Sequence, residues 1–178
     1  MSPITGLDPT ALELGPANVS FDSVFLGFLG DDLAINMVTE AVPLTGAQTG
    51  TVPQDKVITG GTFQVVVPFK EISLANINRA FPNSDIFLLG GTKVEFRPKV
   101  GLGLRSIAKE LKIIKVIGSD ESTDPADIFV IPIAAAVDAE VSLPFNPTEQ
   151  RVFAATFEAW PDPAIGNRWA FTGDEFAS

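Results

Sequence analysis

The chain has 178 residues, a formal net charge of −10, and neither cysteine nor histidine. That length suits one well-buried domain, and the missing residue types exclude disulfides, thiolate or imidazole zinc sites, and every Ser-His or Cys-His nucleophile. The acidity argues against gripping nucleic acid through its phosphates, while 46% hydrophobic residues and 14 Phe call for a large core or for apolar surface covered by other subunits.

In chain order, residues 1–18 hold Pro3, Gly6, Pro9, Gly15 and Pro16 without a sustained period and read as an extended N-terminal arm. They lack the basic and apolar segments of a secretory signal. FDSVFLGFLGDD, residues 21–32, reads as a short strand ending at Gly30 with a turn at Asp31 and Asp32. LAINMVTEAV, residues 33–42, alternates: Leu33, Ile35 and Met37 on one side, Ala34, Asn36, Val38 and Glu40 on the other. GTFQVVVPF, residues 61–69, does the same with Phe63, Val65, Val67 and Phe69. Paired, the two runs form a hairpin around a long turn-rich loop, 43–60, and a loop of that length usually has a task.

Ser73 reads as an N-cap for a short helix over 73–81, with Leu74, Ile77 and Phe81 on one face and Pro82 as the stop. DIFLLGG and TKVEFRP follow as strands. In SIAKELKIIKVIG the lysines at 109, 112 and 115 have helical spacing, but Ile113, Ile114, Val116 and Ile117 favour a strand. DESTDPAD, 120–127, reads as a polar loop. IFVIPIAAAVDAEVSLPF reads as a long strand region bent at Pro132. QRVFAATFEAW is the last strong strand, and 161–178 reads as a C-terminal arm carrying Trp169, Phe171 and Phe176. Strands, one helix, then more strands indicate a single mainly β domain over 1–178: a β-sandwich or barrel with one packed helix.

No run approaches the roughly 18 apolar residues of a membrane helix. GLGLRS at 101–106 lacks the third glycine of a dinucleotide loop and reads as a turn. Asp31, Asp32, Asp120, Glu121, Asp124 and Asp127 lack the spacing of a calcium loop and read as solvated turns. The sequence thus offers no catalytic constellation, cofactor site or metal site, and an enzyme is not expected.

LGPANVSFDSVFLGFLGDDLAINM, TGTVPQDKVITGGTFQVVVPFKEISLANINRAFP and EQRVFAATFEAWPDPAIGNRWAFTGDE together resemble the tail tube (major tail) proteins of long-tailed bacteriophages, whose architecture the type VI secretion tube protein shares. The resemblance implies a structural virion protein, assembled in the bacterial host cytoplasm and located in the tail. It implies hexameric rings stacked into a hollow tube, with each subunit donating strands to a continuous inner barrel. Implied partners are further copies of the chain, the tape measure, the tail terminator, and the baseplate or distal tail protein. DNA passes through without specific binding, and no membrane is involved. On that reading one face of the 33–42 and 61–69 strands packs on the core, while Asn36, Glu40 and Gln64 line the lumen. Carboxylates there would repel DNA phosphates and let the genome slide. Thr49, Val52, Gln54, Asp55 and Lys56 of the loop would reach an adjacent ring, and Trp169, Phe171 and Phe176 would dock on a neighbour. Two alternatives stand beside it: another tail or head completion or decoration protein, or a carbohydrate-binding sandwich using Trp160, Trp169 and Asp162.

Overall fold

The computed structural model describes residues 16–27, 29, 33–45, 53–87, 93–138 and 152–173. Among the described residues the fold is mainly β with one α-helix, built on a nine-stranded antiparallel sheet. Its elements are β1 (Ala17–Phe21), β2 (Val24–Phe25), β3 (Ala34–Thr45), β4 (Pro53–Phe69), α1 (Leu74–Ala80), β5 (Ser84–Phe87), β6 (Lys93–Phe96), β7 (Lys109–Ile117), β8 (Asp120–Glu121), β9 (Ile128–Asp138), β10 (Phe153–Ala159) and β11 (Phe171–Thr172). The main path runs β2-β1-β7-β9-β10-β4-β3, with β8 added to β7 and β11 to β9.

The sheet curls on itself. Phe21 on β1 and Phe157 on β10 stand three ladder steps apart, about 14 Å in a flat sheet, yet their ring centroids are 5.2 Å apart. On the far side Leu29, in the chain leaving β2, bridges Phe69 of β4. The result is barrel-like, its interior filled by Val19, Phe21, Leu111, Ile131, Phe153, Phe157, Val65, Val67 and Phe69. β10 shows the cause plainly: Phe153, Ala155, Phe157 and Ala159 are buried while Ala154, Thr156 and Glu158 between them are not, the period-two pattern of a strand with one covered face.

Several sequence expectations shift. The strand expected from residue 21 starts at Ala17 instead, so the last two residues of the expected arm belong to β1. It also breaks after Phe21, where Asp22 (φ 54) and Ser23 (φ 60) both take left-handed backbone and Phe21 pairs with Val24. That is a two-residue hairpin turn of the kind the right-handed strand twist favours. The expected turn at Asp31 and Asp32 lies outside the described residues. In the expected polar loop, Glu121 and Asp120 pair with Val116 and Ile117. At Pro132 the β7–β9 register slips between Lys109↔Ala134 and Leu111↔Ile131, a bulge that accommodates a residue without an N–H to give the ladder.

Helix α1 forms where expected: the Ser73 hydroxyl accepts from the Asn76 N–H at 3.1 Å. Its buried residues, however, are Asn76 and Ala80, offset from the Leu74, Ile77 and Phe81 stripe. The Asn76 amide donates to the Leu26 carbonyl at 2.8 Å and to the Glu71 carbonyl at 3.1 Å, so a polar side chain is drawn inward by two carbonyls that need donors. Phe81, half-buried against the core, also meets Phe96 of β6 edge to face at 5.2 Å, so α1 packs against the β5–β6 hairpin.

Candidate functional site

β3 and β4 form one long hairpin, and most of what reads as loop in sequence is strand. The register runs from Ala34↔Val66 to Thr45↔Pro53, so 43–45 and 53–60 of the expected 43–60 loop lie in the ladder. Turn-forming Pro43, Pro53, Gly60 and Gly61 mask this in sequence, since no buried face imposes a readable alternation. β10 pairs with β4 only from Gln64 to Phe69. Residues 53–62 therefore pair with β3 alone, and the hairpin projects from the barrel as a two-stranded ribbon.

All twelve residues of β3 are exposed. The expectation that one of its faces covers the chain's own core holds for β4 and not for β3, which lies outside the core's margin. Met37, Val38, Val42, Leu44 and Ile58 stand bare, Met37 at 61% and Ile58 at 69% exposure. Both outer edges are also open among the described residues: β3 along its length and β4 along 53–62. Unpaired strand edges of this length are templates for another chain.

Register also sorts the candidate lumen residues. Asn36 pairs with Gln64 and Glu40 with Gly60, so the three share one face, opposite to that of Phe63 and Val65. The Glu40 carboxylate lies over Gly60, where a Cβ would stand 3.3 Å from it. Gln64 donates to Glu158 of β10 at 3.3 Å. The one cation in β3, β4 and β10 is Lys56; it pairs with Pro43 and falls on the other face.

Of the candidate inter-ring residues, Thr49 and Val52 lie outside the described residues, Gln54, Asp55 and Lys56 are in β4, and the Lys56 N–H donates to the Asp55 carboxylate at 2.7 Å. Among the candidate docking aromatics, Trp169 packs partly buried against the chain's own core, Phe171 pairs with Val130 in β11, and Phe176 lies outside the described residues. The segment that carries them is ordered by Asp162, which accepts from the Ala164 N–H at 2.9 Å and whose own N–H donates to the Arg168 carbonyl at 3.0 Å. Asp124 caps the matching Asp-Pro-Ala turn at Ala126 in the same way. Sequence reasoning missed this second anchoring role, although the repeated Asp-Pro pair is a turn signal in plain view.

Two carboxylates outside the ribbon are held by close neighbours. Ser122 Oγ donates to Asp127 at 2.5 Å and Lys115 Nζ approaches it at 3.3 Å; the Ser122 hydrogen bond first, then Lys115, holds the Asp127 carboxyl below its ordinary range. Lys93 of β6 and Arg97 just past it flank Glu95 and hold it low as well. Among the described residues no group of three or more acids, histidines or cysteines is placed to hold a metal ion.

No family model matches the chain, and no curated protein matches it. Among solved structures, a chain of the cryo-EM structure of the anti-feeding prophage (AFP) baseplate, 6-fold symmetrised, aligns with a TM-score of 0.42 at 9% identity, covering 89% of this chain and 87% of that one.

Proposed function

We propose that the protein is a structural subunit of a phage tail, polymerising as stacked hexameric rings into the tube through which DNA leaves the virion. The observation that supports this reading is the projecting ribbon, whose faces are both exposed and whose outer edges are both bare. β3 and β4 run antiparallel, so the β3 edge of one copy continues the ladder when it meets the β4 edge of the next. Repetition of that head-to-tail contact closes a ring and leaves no edge exposed. Met37 and Ile58, on the face opposite to Glu40, then gain cover that the described residues do not give them.

In such a ring the face bearing Asn36, Glu40 and Gln64 turns toward the lumen, with Glu158 beside it and Lys56 on the far side. Phosphates moving past meet carboxylates, amides and the apolar Val38, Val42 and Leu44 of the same face, and no fixed cation from these strands. The ends of the ribbon and the terminal arms supply contacts along the tube axis and to the tape measure, terminator and baseplate proteins.

Negative-stain electron microscopy of the purified protein, first dilute and then concentrated, tests the reading. Rings or hollow tubes are the expected result. Protein that stays monomeric at every concentration and salt condition overturns it. Glu40→Lys is expected to leave tubes intact and to slow DNA delivery in an infectivity assay; undiminished delivery removes the lumen assignment.

A further inference from the structure

We infer that Trp169 is a positioning residue, a wedge that fixes the angle at which the β3–β4 ribbon leaves the barrel; this rests on the tube reading for its purpose but not for its geometry. The root of the ribbon concentrates three features that weaken a strand. Thr59 is an extra residue on β4, the register passing from Glu40↔Gly60 to Ala41↔Ile58. Gly60 and Gly61 follow it directly, with no side chains to pack and maximal backbone freedom. Past this point the two-stranded ribbon has no third strand or helix beside it among the described residues, and such ribbons are marginal by themselves.

One side chain from elsewhere in the fold covers that point. A methyl on Gly61 would stand 3.0 Å from Cη2 of Trp169 and 2.6 Å from the Val38 carbonyl oxygen. The indole therefore lies across the strand where a side chain is missing, and the glycine makes room for it. Its neighbour along the same face, Phe63, is stacked on Phe129 of β9 at 5.8 Å. Trp169 itself is held from behind: β11 pairs Phe171 with Val130, Arg105 donates to the Pro161 carbonyl at 3.0 Å, and the Asp162–Arg168 bridge closes the intervening loop. The wedge is thus fixed to the barrel while the element it touches is not. A head-to-tail ring needs the two ribbon edges at one fixed angle, which the wedge supplies in advance and the bare ribbon does not.

Because the chain has no cysteine, spin labels at Val57→Cys on the ribbon and Asp120→Cys on the barrel report the angle directly in dilute monomer. The parent is expected to give one narrow distance distribution. Trp169→Ala is expected to broaden it about twofold or more, with Trp169→Phe intermediate and Trp160→Phe unchanged. Equal widths in parent and Trp169→Ala overturn the inference, as does equal broadening by Trp160→Phe. Should Trp169→Ala fail to fold, Trp169→Phe decides alone, and an unchanged width there overturns the inference. The readout needs no rings: a narrow, Trp169-dependent distribution in a protein that never assembles removes the tube reading and leaves the wedge standing.

Discussion

Phe63 and Ile58 lie on the same strand and the same face of the hairpin, yet Phe63 is 7% exposed and Ile58 69%. Between them stand the Thr59 bulge, the two glycines and the Trp169 contact, which mark where the barrel stops and the ribbon starts. Inside that line apolar residues cover one another: Phe157 meets Phe21 at 5.2 Å and Phe69 stacks on Phe153 at 4.8 Å. Beyond it, Val42, Leu44 and Ile58 have the same hydrophobicity and stand exposed. The amino-acid types are alike on both sides, so hydrophobicity alone does not tell a core strand from an assembly strand; the number of strands and helices within reach does.

The contrast can be broken by substitution. Phe157→Ala empties the middle of the barrel and is expected to cost about 3–5 kcal/mol, lowering the melting temperature by roughly 10 °C or more in a thermal denaturation scan. Asn76→Ala strips the Leu26 and Glu71 carbonyls of their donor and is expected to cost about 1–3 kcal/mol in denaturant titration. A smaller effect is confined to acid. The Asp127 carboxyl is lowered in the folded chain, so its stabilising contribution is present above its unfolded value of 3.8 and fades as pH falls through the lower folded value. Asp127→Asn should flatten the acid limb of the stability curve below that point and leave neutral pH behaviour governed by other groups. Smallest on stability is Ile58→Ser on the ribbon, expected within about 0.5 kcal/mol of the parent, while ring or tube formation by electron microscopy is lost. If Ile58→Ser destabilised the monomer as Phe157→Ala does, the division between barrel and ribbon would fail.

Where burial writes a period into the sequence, the fold was legible. β10 alternates from Phe153 to Ala159, the capped helix announces itself at Ser73, and the β-branched run at Ile113–Ile114 correctly outweighed lysines at helical spacing in β7. The ribbon is only partly legible: 33–42 and 61–69 read as strands, but 43–45 and 53–60 read as loop because Pro43, Pro53 and Gly60 stand there as turn signals. The Asp22–Ser23 turn lies between two apolar segments, Phe21 before it and Val24-Phe25-Leu26 after it, and the Asp-Ser pair is its whole signal. Parity along β3 groups Asn36 with Glu40, but Gln64 joins them only through the pairing register, which the sequence does not spell out. Trp169 was read as reaching outward; its contact with Gly61 joins residues far apart in the chain, and no local pattern encodes such a pair.

The bare outer edge of β3 also sets how the isolated chain behaves as a colloid. The strand carries no lysine or arginine and only Pro43 to spoil its edge, so little in its own sequence guards it from the wrong partner. What separates free copies is the net charge of −10, whose reach contracts to about 10 Å at 0.1 M salt. Ionic strength then sets the tempo of encounter: slow screening lets each edge sample its neighbour and retreat from a misfit, whereas a sudden rise in salt brings copies together faster than misaligned pairs can part.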